Sequence, residues 1–175
     1  MNDTAKTIRI FGVVSDSIVD GAGYRTAIFT QGCPHHCEGC HNPASHDLSG
    51  GTEWTLEDVE KKFTGNPLLD GITLSGGEPF LQPIPCAELA RRAHGQGLTV
   101  WTFSGYAYEE LLRRGEKDEA IHALLNETDV LVDGPFLLAE RSLDLLYCGS
   151  RNQRVIDMQK TREKGEVVLF SPGEW

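Results

Sequence analysis

Residues 71–103 read GITLSGGEPFLQPIPCAELARRAHGQGLTVWTF, and their pattern sets the fold. The apolar run GITLS, 71–75, closed by Gly76-Gly77, predicts a short strand. A helix is expected from about Ile84 to His94, stopping at Gly95 and Gly97. LTVWTF, 98–103, is the next strand after a short turn. Downstream, 107–125 reads as helix broken at Gly115, and DVLVD, 129–133, as a strand stopped by Gly134-Pro135. Upstream, TIRIFGVV, 7–14, and RTAIFT, 25–30, are rich in β-branched and aromatic residues and read as strands. Thr55 is placed to cap a helix ending near Gly65; QRVID, 153–157, and VVLF, 167–170, are the last strand candidates.

Strands 71–75, 98–103 and 129–133 are apolar on both faces and alternate with helices, as parallel βα units do when both sheet faces are covered. A chain of 175 residues is one domain in length and too short for an eight-unit barrel of ~250 residues. The expected fold is therefore α/β, a partial (β/α) barrel of about five or six units with a mostly parallel sheet, as a single domain over 1–175. Three clusters end the strands: Ser75-Gly76-Gly77-Glu78, Ser104-Gly105-Tyr106 and Asp133-Gly134-Pro135. Sites in parallel α/β folds lie at the carboxyl ends of strands, so the three are expected to converge.

The balance of 16 Lys+Arg against 26 Asp+Glu gives a formal charge of −10. That disfavours nucleic acid as a primary partner, because phosphate contacts need a basic surplus. No apolar run reaches ~18 residues, so no membrane helix is expected. The apolar stretch Ile8 to Val14 is cut by Arg9 and has no basic region ahead of it, which argues against a signal peptide and for the cytoplasm. Three of five cysteines crowd into eight residues, which in a cytosolic chain means metal binding rather than disulfides.

The crowded segment, 31–42, is QGCPHHCEGCHN. Cys33, Cys37 and Cys40 have the spacing C-x3-C-x2-C directly after a strand. Thiolates select soft metals, and an ordinary 4Fe–4S cluster takes four of them. Three leave one iron without a protein ligand, and an open position marks a catalytic metal site. The competing reading is zinc held by the same cysteines with His41 or His46. Cys86 and Cys148 read as small buried hydrophobes, His35 and His36 as solvated loop residues, and His94 and His122 carry no signal. At Ser75 to Glu78 two glycines let a ligand approach the main chain, whose carbonyls accept from an ammonium, and Glu78 adds negative charge. The plainer reading is a tight turn whose Glu caps the next helix.

C-x3-C-x2-C followed by GGEP resembles the radical S-adenosylmethionine superfamily. Asp20-Gly21-Ala22-Gly23-Tyr24-Arg25 is similar to the DGPGxR signature of its glycyl-radical-enzyme activases, with Ala22 where proline is usual. WTFSGY, 101–106, DVLVDGPF, 129–136, and GSRNQ, 149–153, resemble the branch that activates anaerobic ribonucleoside-triphosphate reductase. The similarity covers about 7–158 and leaves 159–175 without a role.

The resemblance implies that Cys33, Cys37 and Cys40 hold three irons of a 4Fe–4S cluster and that S-adenosylmethionine chelates the fourth. It implies that Gly76, Gly77 and Glu78, at the end of the strand carrying Ser75, bind the amino group. It places Gly39, Cys40 and His41 against the nucleoside, where Gly39 replaces a frequent aromatic residue. Thr102 and Ser104 become candidates for the carboxylate or ribose. The implied activity is reductive cleavage of the cofactor, its 5′-deoxyadenosyl radical taking hydrogen from a glycine of the reductase large subunit. The implied electron donor is a flavodoxin or ferredoxin. The alternatives are activation of another glycyl radical enzyme, a small-molecule radical enzyme such as a deazapurine-forming synthase, and a zinc-binding interaction module. The short chain has little from which to build a lid over a small substrate.

Overall fold

The computed structural model describes residues 6–173. Seven strands form one sheet in the order β3-β1-β2-β4-β5-β6-β7. They are β1 (Thr7–Ser17), β2 (Arg25–Thr30), β3 (Thr52–Thr55), β4 (Gly71–Gly76), β5 (Thr99–Phe103), β6 (Val130–Asp133) and β7 (Arg154–Asp157). The helices are α1 (Leu56–Glu60), α2 (Pro83–His94), α3 (Tyr108–Gly115), α4 (Glu119–Glu127) and α5 (Met158–Lys164). β2, β4, β5 and β6 are parallel neighbours, whereas β1, β3 and β7 join antiparallel. The α/β class holds; three of the six strand pairings are parallel, joining four central strands, and the other three strands add antiparallel at the sheet's ends.

Period-two alternation divides the central strands between two apolar layers. Ile28, Ile72, Leu74, Val100 and Leu131 face the helices and pack with Val59, Leu89, Leu111 and Leu124. Trp101, Val130 and Val132 face the other way, toward Ala22, Phe103, Tyr147 and Phe170. The DGAGYR segment forms the floor on this second side. Arg25 is fully buried; its Nε donates to Thr73 Oγ1 at 2.8 Å, Nη1 to Ala22 O at 3.0 Å, and Nη2 to Ile72 O at 2.6 Å and Thr99 O at 2.9 Å. Gly21, at φ +127°, lies beneath Trp101, where a β-carbon would stand 2.9 Å from the indole. This glycine is thus required both by its backbone conformation and by the ring above it.

Thr55 caps α1 as the sequence suggests, accepting from Asp58 N, but the helix ends at Glu60 and continues only as turns. Thr52–Thr55 pairs with β1 as an added edge strand, and α5, capped by Asp157 and ended by Gly165 at φ 72°, follows β7; the sequence pattern marks neither. The segment 167–170, expected as a strand, makes one isolated bridge, Leu169 to Ile156. No helix among the described residues is long and apolar enough to cross a membrane.

Candidate metal centre

The cysteine loop leaves the carboxyl end of β2 and is fastened there by its own main chain. Gly32 N donates to Ser45 O at 2.7 Å, Cys33 N to His46 O at 3.2 Å and Cys40 N to Cys37 O at 3.2 Å. Gln31, buried, donates through Nε2 to Ala44 O and Asp47 O at 3.0 and 2.7 Å. These bonds fold the loop back over the sheet end. Cys33, Cys37, Cys40, His41 and His46 then line one cavity of about 320 Å3 with Ser75, Gly76, Gly77, Ser104 and Gly105. The expected convergence of the strand ends is met, and Gly134 of the third cluster joins them.

Burial pushes the Cys33 thiol up to about 11; a backbone hydrogen bond at His35 opposes the rise, and the charges of Glu78, Cys37 and Cys40 add to it. A thiolate there is therefore stable only beside positive charge, which a bound metal supplies. Among the described residues, no three His, Cys, Asp or Glu side chains are gathered closely enough for one metal ion. A single zinc needs its donors about 2.0–2.3 Å from one point. A 4Fe–4S cluster takes each thiolate on a different iron, and Cys33, Cys37 and Cys40 all line the one cavity.

The two glycines at the end of β4 turn out to serve chain packing. A β-carbon on Gly76, at φ +89°, would stand 2.6 Å from Phe29 Cα, and one on Gly77 would overlap the Gly32 carbonyl. Gly77 N and Glu78 N donate to Thr30 O and Gly32 O, both at 2.8 Å. Since those N–H groups are taken, the strand end has carbonyl oxygen to offer a ligand, which suits an ammonium donor. Glu78 is wholly buried behind this wall. Its Oε1 accepts from Phe80 N at 3.1 Å, capping a 3-10 turn, and its Oε2 from Gly105 N at 2.9 Å and His35 Nε2 at 2.7 Å. Ser104 Oγ lies 3.0 Å from both oxygens.

Thr102 does not reach the cavity. Strand alternation turns it to the helix side, where its hydroxyl lies 2.9 Å from that of Thr128. Gly39, at φ +74°, sits against Leu138 and Phe136, and a β-carbon there would stand 3.0 Å from Leu138 Cδ1. A side chain at that position would meet a strained backbone and would need Leu138 to shift. Cys86 is fully buried as expected, and burial raises its thiol pKa. Cys148 is half-buried and lines the cavity, contrary to its reading as a core hydrophobe. Asp20, Phe136 and Tyr147 also line it. The DGAGYR and DVLVDGPF resemblances pointed near Asp20 and Phe136, and nothing in the sequence singled out Tyr147. GSRNQ fastens the loop that carries Phe136 and Tyr147: Gln153 accepts from Gly149 N at 2.8 Å and donates to Gly134 O at 3.0 Å, and Asn152 donates to Pro135 O at 2.8 Å.

The family model described as a 4Fe-4S single cluster domain matches residues 19–156, which places the chain among iron–sulfur proteins. The anaerobic ribonucleoside-triphosphate reductase-activating protein of Haemophilus influenzae is 33% identical over 148 residues, covering 78% of this chain and 89% of that protein. Its counterpart in Salmonella typhi is 36% identical over 148 residues, 79% of this chain and 91% of that protein. The chain belongs to the family of anaerobic ribonucleoside-triphosphate reductase-activating proteins. It is also 40% identical over 114 residues to the pyruvate formate-lyase-activating enzyme of Clostridium pasteurianum, but that match spans 60% of this chain and 48% of the clostridial enzyme.

Proposed function

We propose that the chain activates an anaerobic ribonucleoside-triphosphate reductase by creating a radical on a glycine of its large subunit. In this reading Cys33, Cys37 and Cys40 hold the 4Fe–4S cluster and leave one iron for S-adenosylmethionine. One observation carries it: the three cysteines and the Ser75–Gly77 strand end line a single cavity at the carboxyl ends of parallel strands. The strand curvature of a partial (β/α) barrel and a cytoplasmic setting, where thiols stay reduced, belong to the same reading.

Bound together, the cluster and S-adenosylmethionine supply one-electron cleavage of the sulfonium and a carbon radical that takes a hydrogen atom; the electron comes from a flavodoxin- or ferredoxin-like donor. The chain's own residues place and shield these groups. The carbonyls of Ser75–Gly77 accept from the amino group, and the buried charge of Glu78 favours it from behind the wall. Ser104 keeps Glu78 turned toward that strand end. Cys40 and His41 flank the nucleoside. Phe29, Phe103, Val132 and Phe136 make the remaining wall apolar and exclude water that would quench a radical.

The test is electron paramagnetic resonance of the reduced, reconstituted protein mixed with S-adenosylmethionine and the reductase large subunit. A doublet is expected that collapses when the target glycine carries deuterium at Cα. Formation of 5′-deoxyadenosine with a small substrate, and no protein radical on the reductase, would overturn the assignment. A doublet on pyruvate formate-lyase alone moves the target to that enzyme. Stoichiometric zinc without acid-labile sulfide in anaerobically purified protein would remove the radical chemistry altogether.

A further inference from the structure

His35 lies midway between Cys33 and Cys37, and its side chain is turned inward. Its Nε2 donates to Glu78 Oε2 at 2.7 Å, and only 14% of the side chain is exposed. Its ring packs edge-on against Tyr106, centroids 4.4 Å apart, and Tyr106 in turn lies under the Arg114 guanidinium at 4.0 Å. Room for the ring comes from Gly105, where a β-carbon would stand 2.6 Å from His35 Nε2. Gly105 has no left-handed backbone, so that lack of a side chain serves the ring and not a turn. The next residue, His36, takes φ 47°, a left-handed step uncommon for a residue with a side chain. That step separates the two rings: His35 goes to Glu78, and His36 meets His46 with centroids 5.3 Å apart.

We propose that His35 is a positioning residue that latches the middle of the cysteine loop to the ends of β4 and β5 through Glu78, and so holds Cys33 and Cys37 toward the cavity. Main-chain bonds fasten the loop's first residues, Gly32 to Ser45 and Cys33 to His46, while Cys40 N bonds within the loop to Cys37 O. Between Cys33 and Cys37, the His35 side chain is bonded to Glu78 outside the loop. Glu78 is a rigid anchor for it, being wholly buried and held by two backbone N–H groups and Ser104. The use made of the latch, steady ligation of iron, rests on the cluster reading above; the latch itself is present in the protein without metal.

The experiment has two arms. In the first, hydrogen exchange of residues 34–40 is followed in the iron-free protein. His35→Phe, which keeps a ring but loses the donor, and Gly105→Ala, which expels the ring without touching His35 chemically, are each expected to speed exchange tenfold or more. His35→Gln, which returns an N–H to Glu78, should restore most of the protection. His36→Asn, suited to a left-handed backbone, should stay within about twofold of the unaltered protein. In the second arm, iron release to a chelator from reconstituted protein should accelerate in the same two variants and recover in His35→Gln. Unchanged exchange in both His35→Phe and Gly105→Ala overturns the latch. If the exchange arm succeeds but the unaltered protein takes up no iron, the latch stands and the cluster reading fails.

Discussion

At the residue scale, Glu78 decides most. A carboxylate has about four acceptor sites, and four donors meet this one: Phe80 N–H, Gly105 N–H, the His35 ring and the Ser104 hydroxyl. Glu78→Gln keeps the shape but puts an amide N–H against one of those donors. A loss of about 1–3 kcal/mol in folding stability is expected, measured by urea denaturation of the iron-free protein. Affinity for S-adenosylmethionine should fall about tenfold in calorimetry, since the charge behind the strand end is gone. Full stability with lost affinity would mean that the network is dispensable and only the charge matters. The SGGEP stretch made Glu78 legible in sequence, and the cap reading of it was part of the truth. His35 was not legible: its partner is 43 residues away, and the glycine that admits its ring lies on a third segment. Thr102 and Ser104 both read as ending their strand, yet Thr102 sits inside β5 with its hydroxyl against Thr128, and only Ser104, past the strand's last residue, reaches the cavity.

At the element scale, the apolar strands were readable because burial on both faces removes polar residues from them, as in β4 and β6. What escaped was the short and polar: β3 is TEWT, mostly exposed, and its last residue is also the cap of α1, which hid it. Helix ends carry a separate consequence. His94 closes α2, with Nδ1 3.0 Å from Glu127 Oε2 at the end of α4 and Nε2 3.0 Å from Asp129 Oδ2 just before β6. Only an imidazolium donates from both nitrogens. The hydrogen bond to Asp129 raises the His94 pKa above its ordinary 6.5, against some loss to burial. A raised folded pKa stabilises fully below the unfolded value, and that stability fades as pH climbs through the folded one. Replacing His94 by Gln should therefore destabilise most at about pH 6 and progressively less toward about pH 9. Denaturation midpoints of the two proteins at both pH values check this. A difference that grows with pH would show that the clamp does not depend on the charged ring. Glu127 also pairs with Arg91 Nε at 3.2 Å, so the helices should stay docked when His94 is neutral.

At the scale of the whole molecule, the metal site hangs on a sheet that does not need it. The larger core, from Ile8 and Ile28 across Leu74, Leu89 and Leu124 to Ile156, is closed by apolar side chains on the helix face. The cysteines belong to a loop beyond the strand ends, on the other side of β2's last residue. Small domains whose core is the metal itself unfold without it. Here a cluster that binds only the folded state adds to stability by mass action without creating the fold. Iron removal by chelation under reducing conditions should thus leave the far-ultraviolet circular dichroism essentially unchanged. Thermal unfolding should stay cooperative with a lowered midpoint. Ala replacements of Cys33, Cys37 and Cys40 should each cut the iron bound, from about four per chain in the unaltered protein, while keeping that same spectrum. Cys86→Ala should keep the iron, because Cys86 is buried in the core away from the cavity, and Cys148→Ala should keep it because three loop cysteines suffice, although Cys148 lines the same cavity. Loss of secondary structure on iron removal would place the cluster inside the folding core and contradict the packing around Leu74 and Leu89. Retention of full iron in all three loop variants would instead show that the ligands lie elsewhere.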